Sequence, residues 1–144
     1  MPNNLFGPGD NFDLKTSHVV PALIRKIHEA EAARQKTVTI WGTGAPLREF
    51  LFVDDCADAI VFLMKHYSAE GQVNMGSGRE ISIADLATLI AGVIGYQGDF
   101  EFDRNFPDGA PRKLLDVSLL TNLGWQPQTS LEDGLGRTYQ WYLV

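Results

Sequence analysis

The alternation of helix signals with short apolar runs is the feature of this sequence that most constrains its fold. Strand candidates lie at Thr37–Trp41, Glu49–Val53, Gln72–Met75 and Asp99–Phe102. Helix signals occur around them: a segment from Pro21 to near Arg34, one that opens with Asp54 and Asp55, a capped segment from Ser82 that stops at Gly95, a short one at Val117–Leu123, and one from Ser130. Such alternation is typical of α/β proteins rather than of bundles or sandwiches. We therefore predict an α/β fold.

Length and composition fit one domain that spans residues 1–144. The chain is 44% hydrophobic and 21% charged, which excludes a disordered or low-complexity protein. No apolar run approaches the roughly 18–20 residues of a membrane helix, and we predict neither a membrane span nor a signal peptide. Cys56 is the single cysteine, so no internal disulfide can form and we expect a cytoplasmic protein. The net charge of −6 argues against a nucleic-acid partner held by bulk phosphate neutralisation.

The motifs of several enzyme classes are absent. The sequence has no Walker phosphate loop, no HExxH and no GxSxG, and its histidines and cysteine lack metal-ligand spacing, so we predict no metal site. Gly92, Gly95 and Gly98 match the rhythm of a dinucleotide turn, but they follow apolar helix positions instead of a strand. We interpret them as a helix C-terminus, and the chain then carries no dinucleotide fingerprint.

Ligand contacts are expected in three loops rich in Gly, Pro, Asn and Asp, at Asn4–Lys15, Gly42–Pro46 and Asp103–Pro111. Arg48 follows one of these loops, and cations from separate elements are what a diphosphate requires. His18, beside a helix start, could move protons on and off a substrate carbon. From the residues alone, simpler interpretations stay open: solvated surface charge for the cations, a structural role for His18, core packing for Trp41 and Cys56, and a turn at Asp108.

Several segments, in order over nearly the whole chain, resemble the second half of the extended short-chain dehydrogenases, and within them the GDP-L-fucose synthase family. They are Asn4–Phe12, Ser17–Lys26, Trp41–Gly44, Arg48–Leu51, Val53–Asp55, Asn74–Gly78, Pro107–Asp116, Gly124–Pro127 and Ser130–Glu132. Enzymes of that family are NADPH-dependent 3,5-epimerases and 4-reductases that act on GDP-4-keto-6-deoxy-mannose. The resemblance implies that this chain is their C-terminal, substrate-binding part with the last portion of the Rossmann fold.

The resemblance also implies roles for individual residues. His18 takes the place of the epimerisation acid/base, which protonates a carbanion next to the keto group. Lys26 and Arg48 fall where basic side chains hold the GDP diphosphate, and Trp41 falls in the nucleotide-binding stretch. The matching segments imply two further roles. Arg112 binds substrate, and Asn4 and Leu5 lie where the chain passes the nicotinamide of NADP and the sugar.

Three positions depart from the family pattern. Lys26 stands where an arginine is common, which keeps the charge but loses the forked geometry. Phe52 replaces a histidine. Phe106 stands where a lysine often precedes Pro-Asp-Gly, so we expect one diphosphate contact to be missing.

The family's Tyr-x-x-x-Lys pair and glycine-rich NADP turn are not found in this chain: no lysine stands four residues after Tyr67, Tyr96, Tyr139 or Tyr142. We therefore expect weak NADP binding and no reductase turnover from this chain alone, and a GDP-sugar as its ligand. An alternative stays open, a non-catalytic nucleotide-sugar-binding or protein-interaction module. Uncovered strand edges and apolar helix faces also predict self-association, as a homodimer.

Overall fold

The computed structural model describes residues 1–144 and has the α/β architecture that the sequence predicts. In chain order its elements are β1 (Asn4–Phe6), α1 (Val19–Ala32), β2 (Thr37–Trp41), β3 (Leu47–Phe52), α2 (Val53–His66), β4 (Glu80–Ser82), α3 (Ile83–Ile94), β5 (Asp99–Asp103), β6 (Arg112–Lys113), α4 (Ser118–Asn122) and α5 (Leu131–Tyr142). None of the helices combines the length and the apolar character needed to cross a bilayer.

The strands form two sheets. In the larger one β3 is central, with β1 and β6 parallel to it and β4 antiparallel. The smaller sheet pairs β2 with β5 in parallel, in a register that runs from Thr37 opposite Asp99 to Trp41 opposite Asp103. Both of its strands therefore end at the same edge, and two of the predicted ligand loops begin there. The carboxyl ends of parallel strands are the usual place for ligands in open α/β sheets.

Side chains of the larger sheet alternate between two cores, as the two-residue period of a strand requires. Phe6, Phe50 and Phe52 belong to a cluster of 16 buried residues packed with α1, α3 and α5. Leu51 belongs to a second cluster of 7 buried residues on the other side, and Leu5 packs against it. Phe52 is 2% exposed and meets Phe6 edge-on with ring centroids 5.6 Å apart. The departure from the family histidine at this position is thus absorbed by the core.

The capped helix α3 forms as its sequence predicts. The Ser82 hydroxyl accepts a hydrogen bond from the backbone N–H of Asp85, and Gly95 closes the helix in the left-handed conformation at φ 90°. Gly92 lies inside the same helix. Gly95 therefore ends the helix, as interpreted, whereas Gly98 directly precedes β5, and none of the three opens a helix toward a dinucleotide. Ser130 caps α5 in the same manner as Ser82 caps α3.

Several predicted elements were wrong. Gln72–Met75 is not a strand, and only an isolated bridge joins Met75 to Pro2. The predicted loop Asn4–Lys15 begins with β1 instead, and Val53 starts α2 rather than ending a strand. The short strands β4 and β6 were not predicted. Both exist because they pair with β3, and two or three residues carry no periodic pattern of their own.

Candidate functional site

Lys26 and Trp41, two of the predicted ligand residues, lie against each other at the carboxyl edge of the smaller sheet. Trp41 is the last residue of β2 and is 57% exposed. The Lys26 ammonium projects from α1, lies 4.8 Å from the indole centroid, and donates a hydrogen bond of 3.3 Å to the Thr39 carbonyl. Partial burial lowers the pKa of Lys26. A cation and an exposed aromatic ring are thereby held side by side.

Phe106 extends this arrangement. Its ring stacks on Trp41 with centroids 4.4 Å apart and planes inclined by 9°. Phe106 lies in the loop that follows β5, and its side chain is 39% exposed. The two rings form a small aromatic shelf open to solvent, which we call the Trp41–Phe106 shelf.

Asp108 fastens the loop that carries the shelf to the turn after β2. Its carboxylate accepts one hydrogen bond from the backbone N–H of Thr43 at 2.7 Å and another from the Thr43 hydroxyl at 2.8 Å. The backbone hydrogen bond, then the hydroxyl, and then the charges of Arg104 and Arg48 hold the pKa of Asp108 below its usual value. Gly42 has a φ of 85°, and a Cβ there would meet the same carboxylate. The interpretation of Asp108 as a turn residue missed this clamp.

Arg48 reaches the same loop from β3. Its Nη1 donates to the Leu47 carbonyl at 2.7 Å, and its Nη2 lies 3.9 Å from where a Cβ at Gly109 would stand. Lys113 pairs with Arg48 in the parallel register of β6 and β3, so the two side chains share a face of the sheet. Arg104 was not singled out from the sequence, but its charge also acts on Asp108. Lys26 therefore lies against the shelf, and Arg48 and Arg104 lie near the loop that carries it, although the chain as a whole is acidic.

His18 stands at the start of the helix that carries Lys26. It is the N-cap of α1, its side chain makes no capping hydrogen bond, and it is exposed. Eight residues of helix place it about 12 Å from Lys26 along the axis. The hydroxyl of neighbouring Ser17 is buried without a hydrogen-bond partner. The imidazole is thus free to meet a ligand from solvent.

Asn4 and Leu5 lie on β1, away from the shelf. The Asn4 amide donates to the Glu49 carbonyl at 2.7 Å, which fastens β1 to β3, and Leu5 packs in the second core. At the end of β1 is a small cavity of about 200 Å³, lined by Leu5–Asp10 and Val53. One carboxylate oxygen of Asp10 is buried without a hydrogen-bond donor. Such an acceptor fits a ligand that presents an N–H group, and a carboxamide is one example.

Arg112, predicted to bind substrate, is paired with Glu80 rather than with residues of the shelf. Its guanidinium makes a forked ion pair with Glu80, with both contacts at 2.7 Å, and this pairing lowers the pKa of Glu80. The Arg112 side chain is 62% exposed. No contact joins it to the shelf, and Lys113 is the residue of β6 that shares a face with Arg48.

Glu49 was not predicted to matter, yet it organises the neighbourhood of Arg48. Its carboxylate is fully buried and accepts hydrogen bonds from the Asn3 amide at 3.0 Å and from the backbone N–H groups of Gly78 at 2.6 Å and Leu115 at 3.1 Å. A Cβ on Gly76 would collide with it. Three segments distant in sequence are therefore tied to β3 through one side chain.

A larger cavity than the one at the end of β1 lies apart from these residues. It has a volume of about 680 Å³ and opens between the β3 residues Phe50–Phe52 and the segments 76–81 and 117–131. None of the residues predicted to bind ligand lines it. The candidate site is therefore placed at the shelf, where the cations and exposed rings meet.

Comparison with known proteins gives three kinds of similarity. The family model described as "NAD dependent epimerase/dehydratase family" matches residues 1–76. A probable GDP-L-fucose synthase 1 of Oryza sativa subsp. japonica is 54% identical over 143 residues, and a GDP-L-fucose synthase of Escherichia coli strain K12 is 48% identical over 152. Each match covers 99% of this chain, but 44% and 47% of the respective relatives. The chain thus spans less than half of their length.

Solved structures agree with this similarity. The crystal structure of a GDP-L-fucose synthetase from Naegleria fowleri bound to NADP superposes with a TM-score of 0.91 at 32% identity. The match covers 99% of this chain and 45% of that one. The predicted resemblance, made from short segments, is therefore confirmed at the level of the sequence and of the fold.

Proposed function

The chain belongs to the NAD dependent epimerase/dehydratase family, and on that premise we propose that it is the GDP-sugar-binding part of an NADPH-dependent enzyme. That enzyme inverts carbons 3 and 5 of GDP-4-keto-6-deoxy-mannose and reduces the 4-keto group. The named relatives are GDP-L-fucose synthases. The chain spans less than half of their length, and we assign to it the binding of the GDP-sugar rather than the complete reaction.

The observation that carries this proposal is the convergence of Lys26, Trp41 and Arg48 around the loop that Asp108 fastens. A diphosphate is held best by cations from separate elements. Lys26 comes from α1 and Arg48 from β3. The Lys26 ammonium makes one protein hydrogen bond and keeps further N–H groups for phosphate oxygens. The exposed indole of Trp41 beside Lys26 suits the nucleoside.

His18 is the residue of this chain to which we assign proton transfer. A carbon next to a keto group loses a proton to form an enolate, and return of a proton to the opposite face inverts the centre. Imidazole can carry out the proton transfer on one face. The transfer on the opposite face needs a second acid/base group, which we assign to the part of the enzyme that this chain does not span. His18 is exposed, and its ring is free of capping contacts. Its helix also carries Lys26, so that phosphate binding and proton transfer share one rigid element.

We assign to this chain contacts with the nicotinamide end of NADP only. The cavity at the end of β1 suits the nicotinamide carboxamide: Leu5 and Asp10 line it, and one carboxylate oxygen of Asp10 is buried without a donor. Asn4 fastens β1 to β3 through its hydrogen bond to the Glu49 carbonyl. When bound, NADPH supplies a hydride to the keto carbon. The part of the enzyme that grips the rest of the cofactor corresponds to the length of the relatives that this chain does not span.

Calorimetric titration of the chain with GDP tests the proposal. We expect saturable binding that weakens at least tenfold in Arg48→Ala and is unchanged in Lys65→Ala, which removes an exposed cation from the last turn of α2. Absence of binding, or equal binding by Arg48→Ala, would overturn the proposal. Mixing the chain with the complementary N-terminal part of a relative should restore NADPH oxidation. GDP binding without any restored oxidation would favour a non-catalytic nucleotide-sugar-binding module.

A further inference from the structure

The Trp41–Phe106 shelf contains a ring that the proposed function has not used. Trp41 is partly occupied, because Phe106 stacks on the indole and the Lys26 ammonium lies 4.8 Å from its centroid. Phe106 itself has one aromatic neighbour, Trp41, and is 39% exposed. The exposed face of Phe106 is apolar aromatic surface that a bound flat ring would cover.

We propose that Phe106 is a specificity-determining residue that completes a two-ring platform for the base of a purine nucleoside diphosphate. This inference rests on the proposed function, since it concerns the same ligand. The shelf would bind the flat face of the base, while the cations beside it hold the phosphates. Bases stack on aromatic side chains through their π faces, and purines offer more area than pyrimidines.

The loop that carries Phe106 is fastened on both sides of the ring. On the N-terminal side, the Asp103 carboxylate accepts hydrogen bonds from the Asn105 backbone N–H at 3.0 Å and from the Asn105 side-chain amide at 2.8 Å. On the C-terminal side, Asp108 is bound twice by Thr43. Because the loop is held on both sides of Phe106, the ring is preorganised and loses little conformational freedom when a base stacks on it. The same fastening argues against a lid that swings away.

The charges next to the platform complete the ligand chemistry. Arg104 and Arg48 both act on Asp108, two residues beyond Phe106. The Asp108 carboxylate is already committed to Thr43. Arg48 donates from Nη1 to the Leu47 carbonyl, and the Arg104 side chain makes no hydrogen bond or ion pair within the protein, so N–H groups of both side chains remain available to an anion attached to the stacked base. An aromatic ring on a loop that also lies near two guanidinium groups matches a nucleoside diphosphate rather than an isolated phosphate.

Two ligands separate base recognition from phosphate recognition: GDP, and ribose 5-diphosphate, which lacks the base. We expect Phe106→Ala to weaken GDP binding about tenfold, the order of one base–aromatic contact, while binding of ribose 5-diphosphate stays within twofold. Phe106→Leu keeps apolar bulk without a π face and should behave like the alanine variant. Phe106→Tyr should restore GDP affinity.

Trp141→Ala is the matched control, because Trp141 is 48% exposed and stacks on Phe12 in a second aromatic pair that contacts neither Trp41 nor Phe106. It should bind both ligands as the wild type does. Tighter GDP binding by Phe106→Ala would identify the ring as a competitor for the base site and overturn the inference, as would equal binding. Failure of the wild type to bind either ligand would instead overturn the proposed function.

Discussion

Asp108 and Thr43 are 65 residues apart in sequence, yet one carboxylate accepts both the backbone N–H and the hydroxyl of that threonine. The pair joins the turn after β2 to the loop after β5, and these two loops carry the candidate site. An exposed carboxylate that accepts a backbone hydrogen bond titrates below its usual pKa. The joint between the loops is therefore sensitive to acid.

The first prediction concerns pH. Because the pKa of Asp108 is lower in the folded chain than in the unfolded one, the unfolded state binds more protons between the two values. The stabilisation from Asp108 is complete above the unfolded pKa of about 3.9 and is lost as pH falls through the folded pKa. We expect the backbone N–H resonance of Thr43 to shift in NMR spectra over this acid range. In Asp108→Asn that shift should vanish, and a Thr43 resonance that titrates identically in both proteins would contradict the clamp.

The second prediction concerns Glu49. Glu49→Gln replaces one buried acceptor oxygen by an NH2 group that faces N–H donors, so at least one donor loses its partner. We expect the free energy of unfolding to fall by about 2–3 kcal/mol, measured by urea denaturation. Glu132→Gln, in the exposed first turn of α5, is the control and should change it by less than about 0.5 kcal/mol. Equal stability of the two variants would show that the carboxylate is dispensable.

The sequence was sufficient where the determinants are local. The Ser82 cap and Gly95 stop define α3, and the alternation around Val38 and Ile40 defines β2, whose bounds were predicted correctly. Each of these signals lies within the element it specifies. The loops that follow β2 and β5 were also identified from their composition, since glycine, proline and aspartate mark turns at the ends of elements.

The sequence was insufficient where a residue acts through distant partners. Glu49 reads as an ordinary acidic position in a strand, and only the fold brings Gly78 and Leu115 to its carboxylate. Phe106 was interpreted as a missing cation, because its stacking partner Trp41 lies far away in the chain. Side-chain pairing between remote segments follows from the register of β2 with β5, and no local pattern encodes it.

The third prediction concerns His18. In an enzyme restored by joining the chain to an N-terminal part of a relative, His18→Ala should abolish epimerisation, followed as solvent deuterium uptake into the sugar. Stability should change by less than about 0.5 kcal/mol, because the ring is exposed and makes no capping bond. His66→Ala, at the exposed end of α2, should epimerise normally. Wild-type deuterium uptake in His18→Ala would remove the proton-transfer role from this residue.

The last prediction concerns self-association through α2. Ile60, Val61 and Met64 are 46%, 48% and 80% exposed and lie on one side of that helix at spacings of one, three and four residues. Apolar side chains grouped in this way mark an interaction surface. We expect the chain to sediment as a dimer whose population rises with concentration, with the surface of one copy covered by that of another.

The double substitution Val61→Glu with Met64→Glu should shift the chain toward the monomer, because it places like charges on both sides of such an interface. Lys65→Glu alters charge on the same helix without touching the apolar side chains and should leave the dimer in place. If the double variant is still a dimer, the interface does not lie on α2, and the free edge of β1 becomes the next candidate because β1 pairs with β3 on one side only. A wild-type chain that is monomeric at every concentration would refute self-association altogether.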